Sequence, residues 1–274
     1  MLRSLQSLSN SVILAADGEI GKIEQFLFDD EKWSVRYLVV KTAWLMGRKV
    51  LISPLAIQET NAELYYVRLS LTKKQIERSP NIDTDKPVSL QMETEYHDYY
   101  RWPYYWAGSD VWGGAVFPAE MLPPSPSPQP SPSPHYLKEV QKKKGNPHLR
   151  SAHVVEGYKI VAKNDQFGHV ADFIFDDASW AIRYLVIDTR RVLPGKKVLI
   201  SPQWVNKISW SDCTISIDLT KEKIKNSPEY YPYAPVNREY EEELYDYYGR
   251  PAYWSLYDSH DLHETKRLQK RSLY

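Results

Sequence analysis

Two stretches of this chain place the same polar side chains at the same spacing. Asp29, Asp30, Trp33 and Arg36 return as Asp176, Asp177, Trp180 and Arg183. A carboxylate pair closing a strand could do acid–base work or hold a cation, but Asp is also favoured in turns because its side chain bonds the local backbone. The turn role is the stronger expectation here. Arg36 and Arg183 lie in apolar runs, where a guanidinium needs a carboxylate or carbonyl partner and can cover an indole face. They are expected to form structural ion pairs with Asp29 and Asp176. Tyr37 and Tyr184 are expected on the opposite strand face, because neighbours alternate. A second set is aromatic: Trp102, Tyr104, Tyr105 and Trp106 in one half, Tyr253 and Trp254 in the other. Such rings bury large areas while keeping a hydroxyl or indole N–H wet, a habit of interfaces and ligand grooves. They are the candidate recognition residues; the plainer alternative is a lid over their own domain.

The usual catalytic patterns do not occur. The chain has no Gly-rich phosphate loop, no Gly-x-Ser-x-Gly, no Cys-x-x-Cys and no His-Glu-x-x-His. No catalytic residue is assigned, and neither an enzymatic activity, a cofactor nor a metal is expected. His260-Asp261-Leu262-His263-Glu264 groups two imidazoles with carboxylates, but it has no counterpart in the first half and reads as polar tail. Cys213 is the one cysteine, so it forms no intrachain disulfide, and it reads as a buried, inert thiol. Lys plus Arg equal Asp plus Glu at 35 each, which removes the long-range positive field that nucleic-acid binding ordinarily needs. Arg36 and Lys41 interrupt even the strongest apolar run, so no transmembrane segment is expected, while peripheral membrane association stays open. No cleavable leader is evident, and a cytoplasmic location is the expectation.

The elements that must position these residues are also duplicated. Gly21 to Thr42 returns as Gly168 to Thr189 without a gap, Val50-Leu51-Ile52-Ser53-Pro54 as Val198-Leu199-Ile200-Ser201-Pro202, and Asp98-Tyr99-Tyr100 as Asp246-Tyr247-Tyr248. A unit this long is a domain, not a solenoid module of ~20–50 residues. The proline- and serine-rich stretch from Pro123 to Pro134 reads as an extended spacer, followed by the solvated basic run Lys142-Lys143-Lys144. The expected domains are therefore 1–117, a linker over 118–146, a second domain over 147–258, and a polar tail over 259–274.

Short β-branched and aromatic runs between turn signals, with no long crossover helix, predict a small antiparallel β-barrel in each half. Thr72 and Thr220 are expected to cap short helices. Second helices are expected to start near Ser89 and Asn237, the latter stopping at Gly249. Each half is expected to satisfy its apolar strands internally, and the two barrels, or their arms, to pack as a pseudo-two-fold pair.

Gly-x-Ile/Val leading to Phe-x-Phe-Asp-Asp, then Trp-x-Val/Ile-Arg-Tyr-Leu-Val-Val/Ile, then Val-Leu-Ile-Ser-Pro, resembles the PRC-barrel domain over about residues 1–80 and 147–228. That barrel occurs in the H subunit of purple-bacterial photosynthetic reaction centres and in RimM-type ribosome-maturation factors. The aromatic arm looks like that of tandem bacterial PRC-barrel proteins. The resemblance implies a mainly β fold of two small antiparallel PRC-like barrels, each followed by short helices and an aromatic arm. It does not transfer an activity, since one barrel serves many roles. The expected function is a non-enzymatic scaffold or binding protein that recognises a protein or small ligand, or whose two barrels associate with each other. The alternatives are a reaction-centre-like scaffold for light-driven electron transfer at the membrane, and an RNA- or ribosome-associated maturation factor. Both specific roles belong to proteins with an additional N-terminal segment, which is not expected here.

Overall fold

The computed structural model describes residues 1–43, 47–80, 82, 88–121, 148–190 and 195–255. The Pro123–Pro134 stretch, the Lys142–Lys144 run and the His260–Glu264 cluster lie outside the described residues. The strands are β1 (Leu2–Ser4), β2 (Val12–Ala15), β3 (Gly18–Asp29), β4 (Ser34–Thr42), β5 (Lys49–Ile52), β6 (Ile57–Asn61) and β7 (Tyr66–Leu69) in the first half. The second half carries β8 (Leu149–Ser151), β9 (Lys159–Val161), β10 (Gln166–Asp176), β11 (Ile182–Asp188), β12 (Lys197–Ile200), β13 (Val205–Ser209) and β14 (Thr214–Ile217). The protein is mainly β, with two sheets of matching order: β5-β4-β3-β2-β7-β6 and β12-β11-β10-β9-β14-β13.

The expectation of closed antiparallel barrels is corrected in two respects. First, β2 pairs with β7, and β9 with β14, in parallel. Turn signals dictate only the pairing of strands adjacent in sequence, whereas these partners are brought together by everything folded between them. Second, among the described residues no ladder joins the end strands β5 and β6, or β12 and β13. Each sheet is nevertheless curled. A flat six-strand order would hold its outer strands about 24 Å apart at ~4.8 Å spacing. The five residue steps from Ile52 to Ile57 reach at most about 18 Å. The short turn Pro54–Ala56, capped by Ser53, makes that link without hydrogen-bonding the two edges.

The cores are not separate either. A single contiguous buried cluster takes side chains from both halves, including Phe28 and Phe173, whose ring centroids lie 5.6 Å apart. The physical reason lies in the first residues of each half. Leu2-Arg3-Ser4 adds to β10 of the second sheet, and Leu149-Arg150-Ser151 adds to β3 of the first. Arg3 binds Asp177 at 2.6 Å and Arg150 binds Asp30 at 2.8 Å, one bond repeated across the pseudo-two-fold relation. Trp33 and Trp180 adopt left-handed backbone (φ 50° and 58°). In that conformation their carbonyls accept N–H from the other half, Ile182 to Trp33 at 2.7 Å and Val35 to Trp180 at 2.9 Å. A bulky residue there is uncommon, and these reciprocal bonds are what hold it.

Short helices follow each sheet, at Lys73–Glu77 and Leu90–Tyr100, then at Lys221–Lys225 and Arg238–Tyr248. Thr72 and Thr220 cap the first of each pair, and Ser89 and Asn237 the second, each side chain accepting a first-turn N–H. No helix among the described residues is long and apolar enough to cross a membrane.

Candidate functional site

The register of β3 with β4 runs Leu27↔Tyr37 and then Phe28↔Val35, leaving Arg36 as the extra residue of a β-bulge. The second half repeats it: Ile174↔Tyr184, then Phe175↔Ile182, with Arg183 extra. A bulge re-aims a side chain. This corrects the expectation that Tyr37 and Tyr184 face away from the arginines, for arginine and tyrosine converge on one polar cluster in each half.

In the first half the cluster is sealed. Arg36, its side chain 0% exposed, donates to Asp29 at 3.1 Å. Its Cζ also lies 3.9 Å from the ring centroid of Tyr105 and 4.9 Å from that of Trp112. Burial pushes the Asp29 carboxyl up, but Arg36 and the N–H groups of Glu31 and Lys32 outweigh it and hold the group below its ordinary value. Glu93 is buried beneath Tyr37 (3.1 Å), the Tyr105 hydroxyl and His148 Nε2 (3.2 Å). His97 Nδ1 meets the carbonyl of Pro103, and its Nε2 the Tyr37 hydroxyl, both at 2.9 Å. Burial lowers the His97 pKa to about 4 despite Glu93 nearby, so the ring is neutral at pH 7 and donates from Nδ1. Burial, reinforced by Glu93, drives the Tyr37 and Tyr105 hydroxyls well above their ordinary values. Trp112 closes the cluster, fully buried, with its Nε1 donating to the carbonyl of Ser179 at 2.7 Å.

In the second half the same groups border clefts: Tyr184 and Glu241 are buried, and Asp176, Arg183 and Tyr253 are half-buried. Tyr184 and Tyr253 donate to Glu241 at 2.7 and 3.0 Å, and the Arg183 guanidinium stacks 4.2 Å from the Tyr253 centroid. Arg183 is 3.7 Å from Asp176 and 13% exposed. Asp176 is raised by burial but held below its ordinary value by Ser179, the Ala178 N–H, Arg183 and the chain's ammonium group. Burial raises the Glu241 carboxyl, against hydrogen bonds from Tyr184 and Tyr253 and the charge of Arg238. Tyr245 stands where His97 does, and Met1 where His148 does. Two clefts open here. One of about 870 Å³ is bordered by Arg183, Arg238, Glu241 and Tyr253 together with Phe117 and Met1 from the first half. Another of about 460 Å³ is bordered by Arg183, Tyr253, Lys32 and Trp33.

The aromatic candidates divide accordingly. Tyr104 and Tyr105 are buried, Trp106 is half-buried with its centroid 4.9 Å from His97, and Trp102 stacks on Tyr100 at 4.3 Å. Tyr253 and Trp254 are half-buried, Trp254 lying under Arg238 at 3.8 Å. Trp33 stacks on Phe28 and remains half-buried, whereas Trp180, on Phe175, is buried. Glu93, Glu241, His97, His148, Trp112 and Arg238 escaped the reading of residue types. The one usable signal was that Glu93 and Glu241 recur at equivalent helix positions. Cys213 is exposed, correcting the expectation of a buried thiol. It sits at φ 51° in the β13–β14 turn, as Tyr65 does at φ 52° in the β6–β7 turn, and the turn geometry holds it outside.

No family model matches this chain, and no curated protein does either.

Proposed function

We propose that this chain is a non-enzymatic scaffold or binding protein. Its two halves are PRC-barrel-like units, and it recognises a protein or small ligand through the arm of the second half. The repeated Phe-Asp-Asp, Trp-x-Val/Ile-Arg-Tyr-Leu-Val and Val-Leu-Ile-Ser-Pro segments support the PRC resemblance, as does the curl of each sheet. One observation carries the functional part. The Asp–Arg–Glu–Tyr group that is sealed under Trp112 in the first half borders solvent-reaching clefts in the second. Clefts of several hundred Å³ with a few convergent polar groups are where proteins bind ligands.

Affinity capture from source-cell lysate with wild type, Trp106→Ala and Trp254→Ala tests the assignment. A partner held by wild type and Trp106→Ala but lost by Trp254→Ala is the expected result. Loss in both variants, or in neither, overturns it.

A further inference from the structure

The ring of Trp112 makes three polar or stacking contacts: with Arg36, with Tyr105, and through its Nε1 with the carbonyl of Ser179. By the internal repeat, the counterparts of these residues are Arg183, Tyr253 and Lys32. All three border the 460 Å³ cleft. The place that an indole fills in the first half is therefore a cleft among the described residues of the second.

The Trp112 turn is specific to the first half. A Cβ on Gly108 would meet the carbonyl oxygen of Gly113 at 2.2 Å, and Gly113 has φ +76°. Side chains are thus excluded at the first position and strained at the second. The sequence after Trp254 carries Leu256 and Asp261 at the corresponding positions, and His260 in place of Trp112. The Gly-x-x-x-Trp-Gly sequence of 108–113 is thus not repeated at 256–261.

Arg183 lacks the second ring that covers Arg36. Arg36 has two rings against its guanidinium and a carboxylate at 3.1 Å; Arg183 has one ring, a carboxylate at 3.7 Å and the Ser179 hydroxyl at 3.5 Å. Each guanidinium keeps a buried Nε without a hydrogen-bond partner. A cationic plane of this kind is complementary to the negative face of an aromatic ring. Resting on the binding-protein reading above, we propose that the cleft over Arg183 binds a small planar aromatic ligand bearing an N–H donor. Its ring lies against Arg183 and Tyr253, and its N–H donates to the carbonyl of Lys32, as Trp112 does to Ser179.

Isothermal titration of the full chain with indole tests this. Wild type takes up one equivalent, and Arg183→Met weakens uptake about tenfold, the scale of a desolvated cation–π contact. Trp112→Ala, which empties the equivalent place, takes up two. The proposal is overturned if wild type binds no indole, including the case in which Trp112→Ala binds one, or if Arg183→Met binds as wild type does. The wild-type and Arg183→Met titrations decide the matter should Trp112→Ala not fold. Failure here with a partner still lost in Trp254→Ala would remove the aromatic ligand and leave the binding-protein reading standing.

Discussion

The two halves carry the same ionic and phenolic groups, and only the first closes over them. Asp29, Arg36, Glu93 and Tyr105 are roofed by Trp112 and braced by His97 and His148. Asp176, Arg183, Glu241 and Tyr253 have Tyr245 and the chain's ammonium group as neighbours instead, and they face clefts. Buried ions persist only when hydrogen-bonded and paired, because their desolvation cost is several kcal/mol each. The first half pairs Arg36 with Asp29 and adds partners the repeat does not contain: Trp112 from its own arm against Arg36, and His148 from the start of the other domain against Glu93. Duplication supplied the framework. These unshared additions made one copy a structural lock, while water still reaches the other.

The largest test removes the guanidinium from each copy. Arg36→Leu leaves Asp29 buried with backbone partners alone and is expected to cost about 3–5 kcal/mol, the range for breaking a buried ion pair. Arg183→Leu is expected to cost less than about 1.5 kcal/mol, because Asp176 keeps Ser179 and Ala178 and the site admits water. Urea unfolding of both variants measures the difference. Equal losses would break the contrast between a sealed and an open copy.

A smaller effect should appear with pH. The folded pKa of His97 lies below the unfolded value, so the unfolded chain binds the extra proton over the interval between them. Stability from this site is complete above pH 6.5 and is lost as pH falls toward about 4. The full loss is on the order of 3 kcal/mol. Tyr245, at the matching position, does not titrate in that range. His97→Gln should therefore flatten the acid side of the stability profile between pH 6.5 and 4. An unchanged profile would mean that the imidazole is not the group sealed away.

Much of this was legible in the residues, and the failures share a cause. Strand alternation and Gly or Pro punctuation located β3, β4 and their copies, and the side chains of Thr72, Thr220, Ser89 and Asn237 announced their helices by supplying the acceptor each first turn lacks. Asp29 with Arg36 was readable because a guanidinium in an apolar run demands a carboxylate. Period-two patterns state which face a residue occupies but not which strand lies beside it. The parallel pairing of β2 with β7 and the exchange of Leu2–Ser4 for Leu149–Ser151 were hidden for that reason. The bulge at Arg36 was hidden as well, since one unpaired residue reverses the alternation after it without changing composition. Trp112 lies outside the repeat, and nothing in its neighbours marks it as the roof of the cluster.

The finest comparison concerns how the two equivalent helices stop. Leu90–Tyr100 ends on Arg101 with φ 57°, and Arg238–Tyr248 ends on Gly249 with φ 64°. Both caps bond back identically, Arg101 N–H to Asp98 and Gly249 N–H to Asp246. The left-handed conformation costs an L-residue roughly 1 kcal/mol and glycine almost nothing. A Cβ on Gly249 would meet nothing within 4 Å, so backbone conformation alone sets its substitution cost. Gly249→Ala is expected to destabilise by about 1 kcal/mol, and Arg101→Gly to stabilise by up to that amount less the extra chain entropy of glycine. Opposite signs in thermal melts would show that the two caps obey the same backbone rule. A loss in Arg101→Gly would instead reveal that the Arg101 side chain contributes to the first arm.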